Sequence, residues 1–306
     1  MSNPFENCTE VTPSCPVEAT TYGYYPNLAG NSLLLSIFAL CTISQLLLAL
    51  RFRILAFSTI VSLASLSETI GYTGRILMHK NPWSDTAFKI QIVCLILAPS
   101  FLAAGIYLTL KHIVMALGPD KSRLQPNLYP KIFITCDAVS IVMQAIGGGV
   151  ASAGQGKRVI NIGNSIMISG IAVQVATMGL CLFLALDFAV ALGRSRRLRS
   201  EALGRYVSTS MKAFRMYLGA FCLAFVMIFV RCIYRLPEMA GGWGNALMRN
   251  EKEFLVLDGA MIAIATVLMT VAHPGIFFPA MRNKTDKKGE VKDSELSTPE
   301  EMSERD

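Results

Sequence analysis

Seven stretches of this chain run for about 20 residues or more with few charges to interrupt them, at residues 29–50, 54–78, 88–111, 131–152, 162–192, 214–236 and 254–280. A hydrocarbon core roughly 30 Å thick takes about 20 apolar residues of helix to cross. The expectation is therefore an all-α polytopic membrane protein, a bundle of seven transmembrane helices.

The rest of the composition agrees. With 53% hydrophobic and 16% charged residues, the chain is too apolar for an ordinary soluble domain. Its net charge of +7 does not point to nucleic acid, because the bases sit in short loops rather than on one face of a domain. Arg51 and Arg53, Lys111, Lys121 and Arg123, the run from Arg194 to Lys212, and Arg282 to Lys288 fall on one side; Lys80, Lys157, Arg158, Arg249 and Lys252 fall on the other. The positive-inside rule makes the first side cytosolic. The N-terminus is then outside and the C-terminus inside.

Domain limits follow from this topology: an extracellular segment over 1–28, a seven-helix domain over 29–281, and a disordered cytosolic tail over 282–306 whose composition is almost free of apolar residues. Residues 1–26 have no basic start or apolar h-region, so the first span is expected to direct its own insertion. Six of the eight cysteines lie inside apolar runs, leaving Cys8 and Cys15 as a possible disulfide in an oxidising compartment. Sequons at Asn7 and Asn283 lie at opposite ends of an odd number of spans; the N-out reading selects Asn7 as the glycosylated one.

The sixth run carries Arg231 and Arg235, with Glu238 on the same helical face, and the second carries Glu68, Tyr72 and Arg75 at the same i, i+4, i+7 spacing. A guanidinium at mid-bilayer costs about 2.5–3.5 kcal/mol even on the lenient scale, so these charges need partners or water. Counting residues from the start of each span places Glu68, Gln144 and Arg231 at one depth, and Arg75, Arg235, Glu238 and Asp258 nearer the outer surface. Three acids thus face three bases. Asp137 stands two turns below Gln144 on the same face. Two readings stay open for the set: a polar cavity, or an ion network that only locks helix packing. Asp187 reads as an interfacial counter-ion, and His273, beside Pro274 and Gly275, as the group that satisfies a broken turn. The glycines at 147–149, 154, 163 and 170 suit close helix approach. No phosphate-binding loop, HExxH pair or GxSxG elbow occurs. Neither an enzyme nor a cofactor is expected.

Segments YGYYPNLAGNSL, SETIGYTGR, LAPSFLAAGIY, CDAVSIVMQAIGGG, GIAVQ, VRCIYRLPEMAGGWG and LDGAM with AHPG occur in that order over residues 22–280. Together they resemble the fungal RTA-like, or lipid-translocating exporter, family. At Gly259–Ala260–Met261 the chain departs from the family pattern, which has Pro before Met. The resemblance implies a seven-helix protein of a fungal plasma membrane that translocates or exports amphipathic lipids such as sphingoid long-chain bases and confers resistance to toxic lipids. It puts the family's polar positions on Glu68, Tyr72, Arg75, Asp137, Gln144, Arg231, Arg235, Glu238 and Asp258. The alternative is a seven-helix lipid or stress sensor without transport, its basic loop 194–212 meeting a cytosolic partner or anionic lipid.

Overall fold

The computed structural model describes residue 5 and residues 8–119, 122–154, 156–194, 211–242 and 244–277. Asn7, Asn283, the loop residues 195–210 and the tail 282–306 lie outside the described residues, as do the expectations attached to them. Six long helices come first: α1 (Leu28–Phe52), α2 (Leu55–Lys80), α3 (Asp85–Leu117), α4 (Leu128–Ala153), α5 (Lys157–Arg194) and α6 (Met211–Ala240). The seventh span, Glu251–Phe277, is composite. It strings together a helical turn (Glu251–Glu253), a π-helical stretch (Phe254–Ala260), an α-helix (Met261–Val271) and a last turn (Pro274–Phe277).

Six of these helices are long and apolar enough to cross a membrane; α2 falls outside that set. Its 26 residues still reach about 39 Å at ~1.5 Å per residue, and much of its polar content, Ser58, Ser62, Ser65, Glu68 and Arg75, is turned inward. The chain is a polytopic helical membrane protein, and among the described residues it has no strand.

Each helix packs on the next, and the seventh span returns to α1, so the bundle closes on itself. Helix α3 also touches α5 and α6 and is the inner member: 61% of its most apolar window is buried, against 17% for α5. Lipid-facing leucines such as Leu40 and Leu50 stand exposed on α1, while Phe57, Leu102, Tyr107 and Ile228 fill the interior. Small residues set the closest approaches. A Cβ on Gly163 would strike the backbone of Gly147 and Ala151, and one on Gly170 would strike Ser140 and Gln144, so α4 and α5 meet backbone to backbone. Gly74 does the same for α2 against Ala87 and Gln91 of α3.

Local chemistry explains the helix ends. The Asn27 side chain caps α1 by accepting from Gly30 N at 2.9 Å, and Ser84 caps α3 through Ala87 N. At the far end, Ala272 breaks the seventh span. His273 Nδ1 then accepts from Gly275 N at 3.0 Å, which puts the ring proton on Nε2, 2.9 Å from Ser58 Oγ. His273 thus serves the broken turn, as its position beside Pro274 suggests.

The segment ahead of α1 lies over one end of the bundle, held by a Cys8–Cys15 disulfide. Asn81 Nδ2 donates to Thr9 O at 2.9 Å, Trp83 Nε1 to Cys15 O at 3.2 Å, and Arg249 to Glu18 O at 3.5 Å. The N-terminal segment, the α2–α3 connection and the approach to the seventh span therefore share one end.

Candidate functional site

All eight charged and amide groups that the sequence singled out are buried, from 0% exposure at Arg75 to 4% at Gln144. Tyr72 is buried too, its ring stacked on Phe38 at 5.6 Å. None of them points into lipid. They fall into three groups at successive depths.

Nearest the covered end, Arg75 reaches across three elements. Its Nε donates to Asn31 Oδ1 at 2.8 Å, and Nη2 donates to both Tyr24 OH and Glu251 Oε1 at 3.2 Å. The guanidinium lies over the rings of Phe254 at 4.1 Å and Tyr22 at 5.3 Å. Glu251 Oε1 also accepts from Asn27 N at 2.6 Å, so one carboxylate ties α1, α2 and the seventh span together. Burial pushes the Tyr22 phenol up to about 12 against the opposing pull of Arg75, and it raises Tyr24 as well. Both phenols stay neutral and can keep their hydrogen bonds, Tyr22 accepting from Gln91 Nε2 at 2.7 Å.

One step deeper, Arg231 Nε meets Asp258 Oδ1 at 2.7 Å, a contact between charges rather than an aligned hydrogen bond. Its Nη2 donates to Leu95 O at 2.5 Å. Arg235 pairs with Glu238 on its own helix at 2.6 Å. Glu68 lies within electrostatic reach of Asp258, Arg231 and Arg235 but forms no ion pair among the described residues. The Tyr72 hydroxyl comes so close to Gly259 that a Cβ there would sit 2.6 Å from it, so the glycine makes room for the phenol. Asp258 and Gly259 lie in the π-helical stretch, a distortion that often marks functional positions.

Deeper again, Gln144 Nε2 donates to Gln174 Oε1 at 3.2 Å and Gln174 Nε2 to Ser100 Oγ at 2.8 Å, linking α4, α5 and α3. Asp137 accepts from Tyr107 OH at 3.1 Å. Asp187 accepts from Arg123 Nε and Nη2 at 2.8 and 2.9 Å, which gives it the counter-ion role.

The partners differ from those that depth counting suggested. Depth counting puts Glu68 level with Arg231, and Arg75 level with Glu238; instead Arg231 takes Asp258, Arg235 takes Glu238, and Arg75 takes Glu251. The seventh span begins at Glu251 and not at 254, so Asp258 sits three residues farther down it, about 4.5 Å at ~1.5 Å per residue. Glu251 was missed because it precedes the apolar run. Its spacing of seven from Asp258 was the signal available.

A separate feature lies between α3 and α4: a groove of about 730 Å³, walled by both helices, the α2–α3 connection and Ala19–Thr21. Of the nine predicted positions, Gln144 lies on its wall.

The profile of the family described as RTA1 like protein matches residues 61–281. The chain belongs to the RTA1-like family. Among relatives of this RTA1-like chain is the sphingoid long-chain base transporter RSB1 of Saccharomyces cerevisiae, 34% identical over 283 residues that cover 84% of this chain and 74% of that one. The probable lipid transporter atnI of Emericella nidulans is 27% identical over 86% of this chain and 73% of its own. Protoporphyrin uptake protein 1 of Saccharomyces cerevisiae is 26% identical over 69% and 65%. No solved structure matches the RTA1-like chain.

Proposed function

We propose that this chain translocates amphipathic lipids outward across a fungal membrane, with sphingoid long-chain bases as the substrate class, and so confers resistance to toxic lipids. The observation that carries the reading is the 34% identity, over 84% of the chain, to a protein named as a sphingoid long-chain base transporter.

The geometry supplies a chemical reason. Arg75, Arg231 and Arg235 bring three guanidinium groups inside the bundle, where Glu68, Asp137, Glu238, Glu251 and Asp258 bring five carboxyls. Three of the acids are matched by the bases. Glu68 and Asp137 are left without a cationic partner among the described residues, and intramembrane acids of this kind belong on substrate routes. An ammonium head carries the charge that completes the balance, while its hydrocarbon tail stays in lipid.

In this reading the covered end faces outward, at the plasma membrane, because the basic loops concentrate at the opposite end. Residues 1–28 are then extracellular and carry a glycan on Asn7, 29–281 form the transport domain, and 282–306 are a cytosolic tail. Tyr72, Arg75, Gln144, Arg231, Arg235, Glu238 and Asp258 hold the frame in which the two unmatched acids work, and the chemistry is movement rather than catalysis.

Purified protein in vesicles with a labelled long-chain base tests this. Transfer between leaflets should run faster than in protein-free vesicles and slow in Glu68→Ala and Asp137→Asn. Equal rates in all four preparations would remove the reading.

A further inference from the structure

The groove between α3 and α4 leaves no mark in the residue pattern, and its shape is informative. It runs from Asp85 and Lys89 at the covered end down to Leu97 on α3, and from Ala151 down to Ile141 on α4. Ten residues of α4 at ~1.5 Å each make about 15 Å, half of a ~30 Å hydrocarbon core. The groove is thus one leaflet deep.

Its ends differ chemically from its walls. Ile92, Val93, Ile96 and Ala145 make the middle apolar. At the rim stand Thr21, Ser84, Asp85 and Lys89. Asp85 pairs with Lys89 at 3.8 Å with both side chains well exposed, a pairing worth little in water and readily exchanged. At the floor, Gln144 is 4% exposed; its amide nitrogen is taken by Gln174 while its carbonyl oxygen accepts nothing among the described residues. Val93, Ala145 and Gly149 are exposed, so the groove opens sideways along its length.

Resting on the transport reading, we infer that this groove seats the single chain of an ammonium-headed amphiphile at the level of the outer leaflet, on its way out of the bundle. The ammonium meets Asp85 at the rim and the tail runs toward Gln144. A volume of 730 Å³ lies within the ~300–1,000 Å³ of small-molecule sites. A cleft one leaflet deep between two helices suits one chain better than the paired chains of a phospholipid. The step is binding alone, with no bond made or broken.

Trp83 lines the groove, and its indole is fixed by the hydrogen bond to Cys15 O, so it is a built-in reporter. The chain has two tryptophans, and Trp243→Phe leaves Trp83 as the sole emitter. With this full-length variant in nanodiscs, a brominated long-chain amine should quench fluorescence saturably. Gly148→Leu should fill the groove without disturbing the fold, because a Cβ there has Met167 Sδ at 4.0 Å as its nearest neighbour; it should weaken the apparent affinity roughly tenfold or more. Asp85→Asn should weaken binding of the amine and leave binding of the matching long-chain alcohol unchanged. Quenching that never saturates, that survives Gly148→Leu, or that a brominated two-chain phospholipid reproduces would overturn the inference and assign the groove to bulk lipid. Vesicle transfer separates the two readings: transfer that persists in Gly148→Leu overturns the groove as the substrate seat but not transport. Saturable quenching without transfer in the unaltered protein upholds the groove and overturns transport.

Discussion

Arg231 Nη2 donates to the carbonyl of Leu95, the one carbonyl of α3 that Pro99 leaves without its helical partner. In an unbroken helix the amide N–H of residue 99 would bond to residue 95, and proline has none. The freed acceptor lies in the inner helix, and a guanidinium from α6 takes it. The same arginine holds Asp258 of the seventh span. One side chain therefore joins three elements.

This predicts a dependence between positions that do not share a helix. Arg231→Met should cost about 1–3 kcal/mol less in a Pro99→Ala background than in the native chain, because alanine returns the N–H and no orphan carbonyl remains. Thermal unfolding of the four proteins in detergent measures the difference.

The glycine contacts of α4 and α5 are selective. Gly163→Ala drives a Cβ into the backbone of α4, where nothing flexible can yield, and should destabilise by about 1–3 kcal/mol. Gly193→Ala, on the same helix with nothing within 4 Å of the added carbon, should be neutral or slightly stabilising through helix propensity. Melting temperatures of the two variants are the comparison to make.

The covering segment should respond to redox state. Cys8→Ser opens the loop closed by Cys15 and releases the local constraint. Proteolysis within residues 8–20 should speed up in this variant and in reduced protein. Melting of the bundle should stay unchanged, because Arg75 is held from Tyr22 onward and by Asn31 and Glu251.

Orientation is read from glycans. The N-out arrangement predicts that Asn7→Gln abolishes a glycan-dependent mobility shift and that Asn283→Gln leaves it intact. The opposite result would invert the topology.

How much of this was legible follows from what kind of signal each feature leaves. Span number and position were readable because length multiplied by rise must match the bilayer, and the helix limits fall within a few residues of the apolar runs. The buried charges were readable because Arg231, Arg235, Glu68 and Arg75 have no business in lipid without a purpose. Their pairing was not. It depends on where the seventh span starts, and Glu251 sits in polar surroundings that look like loop. Tyr22 and Tyr24 belong to a segment that resembles the family's, yet nothing local says that they fold back over Arg75. The groove is invisible for a different reason. It is an absence of side chain at Gly148 and Gly149 on a wall shared by two helices, and spacing along one chain does not encode that gap.

Opposite charges from separate helices meet inside the bundle, with Arg231 and Asp258 as the pair that joins α6 to the seventh span. A double-mutant cycle on thermal stability tests it most directly. Arg231→Met and Asp258→Leu should each destabilise by about 3–5 kcal/mol by stranding a buried charge. The double variant should recover much of the loss, giving a coupling of about 2 kcal/mol or more. Additive costs in the double variant would contradict the pairing and the buried network built on it.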